Sequence, residues 1–110
     1  MGRYVYENRT GECVWKYAFA EQSSEQSRIS HELGIGHMIY NKRGTHDTLV
    51  LYCSQSTVNR LRQAVRHNCG DNGPQEKHDA FWYMVWNLAN WVEKQIPAHK
   101  GQRLRFWGEY

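Results

Sequence analysis

Cysteine is scarce in this sequence of 110 residues, and its three copies are widely spaced. They stand at Cys13, Cys53 and Cys69, with no C-x-x-C pair among them. An odd number of scattered cysteines argues against a disulfide framework, and the missing C-x-x-C spacing argues against a thiolate zinc site. The pattern therefore predicts reduced thiols, as in a cytoplasmic protein.

Long hydrophobic runs are also missing. The most apolar stretch, residues 81–96, is interrupted by Asn, Glu, Lys and Gln. It therefore cannot supply the roughly 20 consecutive apolar residues of a membrane span. The segment from Met1 to Tyr6 contains no apolar run of the kind found in signal peptides. We therefore expect a soluble, cytoplasmic protein with no membrane partner.

Catalytic motifs are absent as well. The sequence has no G-x-S-x-G, no paired carboxylates and no phosphate-binding glycine loop. His31 and His37 are separated by two glycines, whereas a helical zinc motif needs its histidines one turn apart. Cys53, between a predicted strand and a predicted helix, is the best nucleophile position, although a cysteine packing as a small hydrophobe explains it more simply. These absences favour a non-catalytic role, with no catalytic residue, metal or cofactor.

Alternating side chains predict two β-hairpins. The first joins strands over residues 3–8 and 12–20, and the second joins strands over residues 35–40 and 45–53. Each turn opens with Asn and closes with Gly, which suits a short hairpin loop. Residues 49–53 are apolar on both faces, which predicts a strand covered on both sides.

Helical patterns follow each hairpin. Residues 21–34 predict a short helix that ends at Gly34, where a left-handed conformation closes the helix easily. Residues 54–69 predict a second helix, beginning at a serine cap and carrying a narrow apolar stripe. Residues 77–96 predict the longest helix, bounded at its end by Pro97.

Together these elements predict a single α+β domain over residues 1–110. Two antiparallel β-hairpins form a four-stranded sheet, and two to three helices pack on it in the order ββαββα(α). Residues 103–107 could add a fifth strand at the edge of the sheet. The positions of the long helix expected to face the sheet are Phe81, Val85, Leu88 and Val92.

The tryptophans of the long helix suggest the first function. Apolar positions cover more than half of its circumference, which is more than a helix lying on one layer usually buries. The surplus favours a small protein-binding or regulatory module, such as an inhibitor or an accessory subunit. Its partner would be another protein or a second copy of itself, forming a homodimer. The residues predicted to make this contact are Trp82, Trp86 and Trp91.

Basic residues support an alternative function, nucleic-acid binding. Residues 54–70 carry three arginines and no acid, and residues 97–108 carry three basic residues and no acid. Arginines on a helix could follow phosphates, and aromatic side chains on a sheet could stack unpaired bases. The net charge of +3 permits this function without requiring it. The predicted phosphate contacts are Arg60, Arg62, Arg66, Lys42 and Arg43, and the predicted stacking residues are Tyr4, Tyr6, Trp15 and Tyr17.

Overall fold

The computed structural model describes residues 3–17, 25–40, 48–74 and 80–108. The strands are β1 (Arg3–Glu7), β2 (Cys13–Tyr17), β3 (His37–Ile39), β4 (Thr48–Tyr52) and β5 (Arg103–Gly108). The helices are α1 (Glu25–His31), α2 (Gln55–Cys69) and α3 (Ala80–His99). The predicted α+β class is confirmed, and the observed order along the chain is ββαββααβ.

The five strands form one antiparallel sheet in the order β2-β1-β5-β4-β3. Both predicted hairpins are present, since β1 pairs with β2 and β3 pairs with β4. The C-terminal strand is also present, but its predicted position at the edge is wrong. β5 pairs with β1 on one side and with β4 on the other, so it lies in the middle of the sheet between the two hairpins.

The side chains of β5 explain this central position. Leu104 and Phe106 are fully buried, and across the β4–β5 ladder they pair with the buried Leu51 and Leu49. These four apolar side chains share one face of the sheet, and a strand at the edge would leave part of that face in water. On the opposite face of β4, Val50 is buried too. Both faces are therefore shielded from solvent in the middle of this strand, as its apolar sequence predicts, whereas Tyr52 at its end is 51% exposed.

Residue contacts divide the chain into two compact units. The first comprises residues 1–52 and 103–110 and contains the sheet and α1. The second comprises residues 53–102 and contains α2 and α3, so it is inserted in the chain between β4 and β5. The single domain expected over the whole chain stays a prediction.

In the first unit, α1 lies beside β3 and β4, and Ile29 is its fully buried apolar anchor. The part of this helix predicted before residue 25 lies outside the described residues. The chain passes from α1 to β3 through Gly34 (φ +65°) and Gly36 (φ +70°). A Cβ atom at Gly36 would collide with the carbonyl oxygen of Val50 and the side chain of Leu51. Glycine is therefore required for this close approach.

The second unit is a pair of packed helices. α2 begins after Ser54, whose Oγ accepts a hydrogen bond from the Thr57 N–H at 3.2 Å. This is the predicted serine cap. The apolar stripe of α2 is buried and α2 packs against α3. Two backbone hydrogen bonds of 2.8 Å join the ends of this unit, from the Cys53 N–H to the Gln102 oxygen and from the Gly101 N–H to the Cys53 oxygen.

Helix α3 extends past its predicted end. Pro97 was expected to bound the helix, but it lies inside the last turn, and the helix continues to His99. Proline has no N–H, so it removes one hydrogen bond there. The Lys100 N–H still bonds to the Ile96 oxygen at 3.0 Å. One missing bond so close to the end is not enough to stop the helix.

The apolar face of α3 follows the predicted spacing for most of its length. Val85, Leu88 and Val92 are buried, whereas Phe81 is half-buried. No helix in the described part of the chain has both the length and the apolar character that crossing a bilayer requires.

Candidate functional site

Strand β5 presents basic and aromatic side chains on one face of the sheet. Along the strand, Leu104 and Phe106 are buried, Arg103 and Arg105 are exposed, and Trp107 is half-buried. Because neighbouring residues of a strand point to opposite faces, the two arginines and the tryptophan share the face opposite the buried leucine and phenylalanine.

The strands beside β5 add aromatic rings to the same face. Tyr6 of β1 pairs with Trp107, and the centroids of their rings lie 4.9 Å apart with an interplanar angle of 31°. Tyr52 of β4 pairs with Arg103 and is 51% exposed. The Arg103 guanidinium carbon lies 5.6 Å from the centre of the Tyr52 ring, and Nη2 donates a hydrogen bond of 3.3 Å to the tyrosine oxygen. Tyr52 therefore orients Arg103.

The turn between β1 and β2 reaches the first residues of β5. The Asn8 N–H donates to the Arg105 oxygen at 3.0 Å, and Arg9 Nε donates to the Arg103 oxygen at 3.4 Å. The buried carboxylate of Glu7 holds this turn, because its two oxygens accept the Arg9 N–H at 2.6 and 2.7 Å. A buried carboxylate at the base of the turn thus places the Arg9 side chain beside β5.

A pocket of about 500 Å³ lies between this turn and β5. Its lining residues are Asn8, Arg9, Arg103 and Arg105. Among the described residues, the lining therefore contains three arginines and no acidic residue, and none of these arginines makes an ion pair there. Guanidinium groups bind phosphate and carboxylate oxygens through paired N–H donors. The pocket is suited to an anion.

The predicted basic helix is less available than its sequence suggests. Arg62 donates to both carboxylate oxygens of Glu93 at 2.8 and 2.9 Å and to Asn90 Oδ1 at 2.9 Å. The hydrogen bond from Arg62, followed by one from Gln55, lowers the pKa of Glu93 below its ordinary value. Residues 54–70 contain no acid, but α3 supplies one across the helix pair.

The three arginines of α2 also fail to form one surface. The Arg62 and Arg66 guanidinium carbons lie 5.8 and 5.7 Å from the centre of the Trp86 ring. Arg60 is exposed but stands two positions before Arg62, and side chains two positions apart on a helix do not face the same way. Lys42 and Arg43, also predicted as phosphate contacts, lie outside the described residues.

The tryptophans predicted to bind a protein partner are all half-buried. Trp82 meets Phe81 edge-on, with ring centroids 4.9 Å apart, and Trp86 is accompanied by the two arginines of α2. Trp91 is half-buried near the middle of α3. Protein binding through Trp82, Trp86 and Trp91 stays a prediction.

Of the four predicted stacking residues, Tyr6 has a described side chain, and it lies on the face of the sheet that carries Arg103, Arg105 and Trp107. The side chains of Tyr4, Trp15 and Tyr17 lie outside the described part of the structure. Sequence reasoning missed Arg9, Tyr52 and Trp107. The alternation of residues 103–107 could have placed Trp107 on the same face as the arginines. Tyr52 lies beside Arg103 only because β4 pairs with β5, and Arg9 lies beside β5 only because the β1–β2 turn contacts that strand.

Thiol and histidine chemistry finds little support in the geometry. Cys53 is fully buried, with Sγ 3.9 Å from the Val92 oxygen, so a substrate could not reach it without opening the unit. His31 Nε2 is hydrogen-bonded to the Tyr40 hydroxyl, and His37 is exposed on β3. No group of three potential metal ligands occurs among residues 3–17, 25–40, 48–74 and 80–108.

Comparison with protein-family models, curated proteins and solved structures finds no match for this chain.

Proposed function

We propose that this protein is a non-catalytic module that binds single-stranded nucleic acid on the face of its sheet that carries Arg103 and Arg105. Unpaired bases stack on the rings of Tyr6 and Trp107, and the backbone phosphates contact Arg103 and Arg105. These four residues and Tyr52 form a surface that we call the basic–aromatic face.

The observation that carries this proposal is the alternation on β5 beside the Tyr6–Trp107 pair. It places two arginines and an aromatic pair on one surface of a sheet, with successive side chains about 7 Å apart along the strand. No described residue of β1, β4 or β5 on this face is acidic. Base stacking on aromatic rings and phosphate contacts from arginine are the two interactions that hold single strands.

A single strand suits this surface better than a duplex does. Bases within a duplex are already stacked and paired, so their ring faces cannot reach Tyr6 or Trp107. A duplex could contact the arginines alone, and phosphate contacts without stacking give weaker binding. We therefore expect a preference for unpaired RNA or DNA.

The aromatic helix supports the alternative, protein binding, less well. The guanidinium groups of Arg62 and Arg66 already lie close to the Trp86 ring, and Trp82 packs against its neighbour Phe81. By contrast, Arg103 and Arg105 are exposed, and both line a pocket to which Arg9 also contributes. Exposed arginines beside the half-buried rings of Tyr6 and Trp107 are better explained by a polyanion that carries bases.

Fluorescence anisotropy with labelled single-stranded and duplex oligonucleotides at low salt tests the proposal. Trp107→Leu should weaken single-strand binding by about 5- to 150-fold, because stacking of one base contributes about 1–3 kcal/mol. Arg105→Gln should weaken binding and reduce the slope of log K against log salt by about 0.7, the value for one phosphate contact on a single strand.

The matched control is Arg60→Gln, which removes the same charge from an exposed position on α2. It should leave affinity and salt slope nearly unchanged. If Arg60→Gln weakens binding and Arg105→Gln does not, the basic helix is the binding surface and the proposed face is wrong. Absence of binding to every oligonucleotide at tens of micromolar protein would refute nucleic-acid binding altogether.

A further inference from the structure

The pocket between the β1–β2 turn and β5 lies at one end of the basic–aromatic face. β1 pairs with β5 only from Phe106 to Gly108, and beyond this point the turn residues take the place of the strand. Arg105 contributes to the pocket and stands two residues before Trp107 on the same face. A strand bound along the face would therefore bring one of its ends to the pocket.

We propose that this pocket binds a terminal phosphate monoester of the bound strand. The inference rests on the proposed function, since it requires a nucleic acid on the sheet. It goes further by assigning a ligand group to Arg9 and by predicting that the protein recognises strand ends.

The charge of the pocket favours a monoester over an internal phosphodiester. A monoester carries a charge of about −1.5 to −2 at neutral pH and offers three strongly accepting oxygens, whereas each backbone diester carries a single negative charge. Three arginines line the pocket and one carboxylate, that of Glu7, bonds to the Arg9 backbone, so the remaining positive charge matches a monoester better than a diester. A single diester would leave part of this positive charge unbalanced.

The pocket is also large enough for more than the phosphate itself. Its volume of about 500 Å³ falls in the range of small-molecule sites, about 300–1,000 Å³. It can therefore hold a phosphate together with part of the sugar to which it is attached.

The arginines are held in place before a ligand arrives. The Glu7 carboxylate fixes the backbone at Arg9, Arg9 Nε bonds to the Arg103 oxygen, and Tyr52 orients the Arg103 guanidinium. The Glu7 contact uses the Arg9 backbone N–H, and the other two contacts each use one guanidinium donor of five, so donors remain for phosphate oxygens. Preorganisation of this kind reduces the entropy lost on binding.

The experiment compares oligonucleotides of one sequence that carry a 5′-phosphate, a 3′-phosphate or hydroxyl groups at both ends. We expect one of the two phosphorylated forms to bind about ten- to a hundredfold more tightly than the hydroxyl form. Arg9→Gln should remove this advantage and leave binding of the hydroxyl form nearly unchanged. Arg9→Lys, which keeps the charge but loses the paired donors, should retain part of it. Arg60→Gln should retain all of it.

Each failure has a distinct meaning. Equal binding of all three oligonucleotides would overturn the terminal-phosphate inference and leave the proposed function standing. Absence of binding to any of them would overturn both. A nucleoside monophosphate that binds as tightly as the phosphorylated oligonucleotide would show that the ligand is a small phosphate compound, and the strand-end inference would be wrong. Circular dichroism and the unfolding midpoint of Arg9→Gln check that the turn still folds.

Discussion

Leu104→Ala tests the central position of β5 directly. Leu104 is fully buried and pairs with Leu51, which is fully buried as well. Truncating a fully buried leucine to alanine removes its transfer free energy and leaves a cavity, and it costs about 2–5 kcal/mol. A chain of 110 residues has a total stability of about 5–16 kcal/mol at 0.05–0.15 kcal/mol per residue. The substitution should therefore remove a large fraction of that stability.

Urea unfolding followed by circular dichroism measures this loss as a shift in midpoint at constant slope. The control is Arg105→Ala, on the same strand but exposed on the opposite face. It should cost less than about 1 kcal/mol, the span of strand propensities. In thermal unfolding, Leu104→Ala should lower the midpoint by about 4 °C or more for each kcal/mol lost. If the two alanine variants lose similar, small amounts, β5 is an exposed strand and the central placement is wrong.

Three further expectations concern other parts of the fold. Gly36→Ala should destabilise the protein more than Gly34→Ala in urea unfolding; both have positive φ, but an added Cβ meets backbone and side-chain atoms only at Gly36. Equal losses would argue against that close approach. Glu93 has a lowered pKa in the folded protein, so its contribution is present at neutral pH and lost as the pH falls through that value. Glu93→Gln should therefore unfold at a lower urea concentration than wild type at pH 7 and at the same concentration in strong acid. A difference in midpoint that does not change with pH would contradict the hydrogen bond from Arg62. Gln26 is fully buried, and neither amide atom has a hydrogen-bond partner among the described residues. Gln26→Met should raise stability by about 1–3 kcal/mol, and a loss would reveal a partner.

Local patterns were enough to predict the types of the elements. Alternation marked β1 and β2, the paired Asn and Gly marked their turn, and Ser54 marked the start of α2, because each of these signals acts within a few residues of chain. The end of α3 was less predictable from such signals. Pro97 removes only one hydrogen bond in the last turn, and that loss does not outweigh the contacts of the helix.

The order of the strands could not be predicted in the same way. β1 and β5 stand at opposite ends of the described chain, and their pairing depends on the two helices of the second unit returning the chain beside β4. An alternating sequence such as residues 103–107 suits an edge strand or a central strand with one exposed face. Which position the strand takes depends on the strands that pair with it, and no signal within these five residues identifies those strands.

The same limit explains why sequence reasoning ranked the arginines of residues 54–70 above those of residues 97–108 as a candidate anion site. Residues 54–70 and 97–108 are equally free of acid along the chain, so composition alone cannot rank them. The folded structure gives the two segments different electrostatic surroundings. In the helix pair, Glu93 forms an ion pair with Arg62. At β5, the turn after β1 adds a third arginine, Arg9, to the pocket lined by Arg103 and Arg105. One basic cluster is thereby partly neutralised and the other gains positive charge. Three arginines line the β5 pocket and Glu7 supplies one negative charge nearby, so a net positive charge remains there, and for this reason we propose the β5 cluster as the phosphate-binding site.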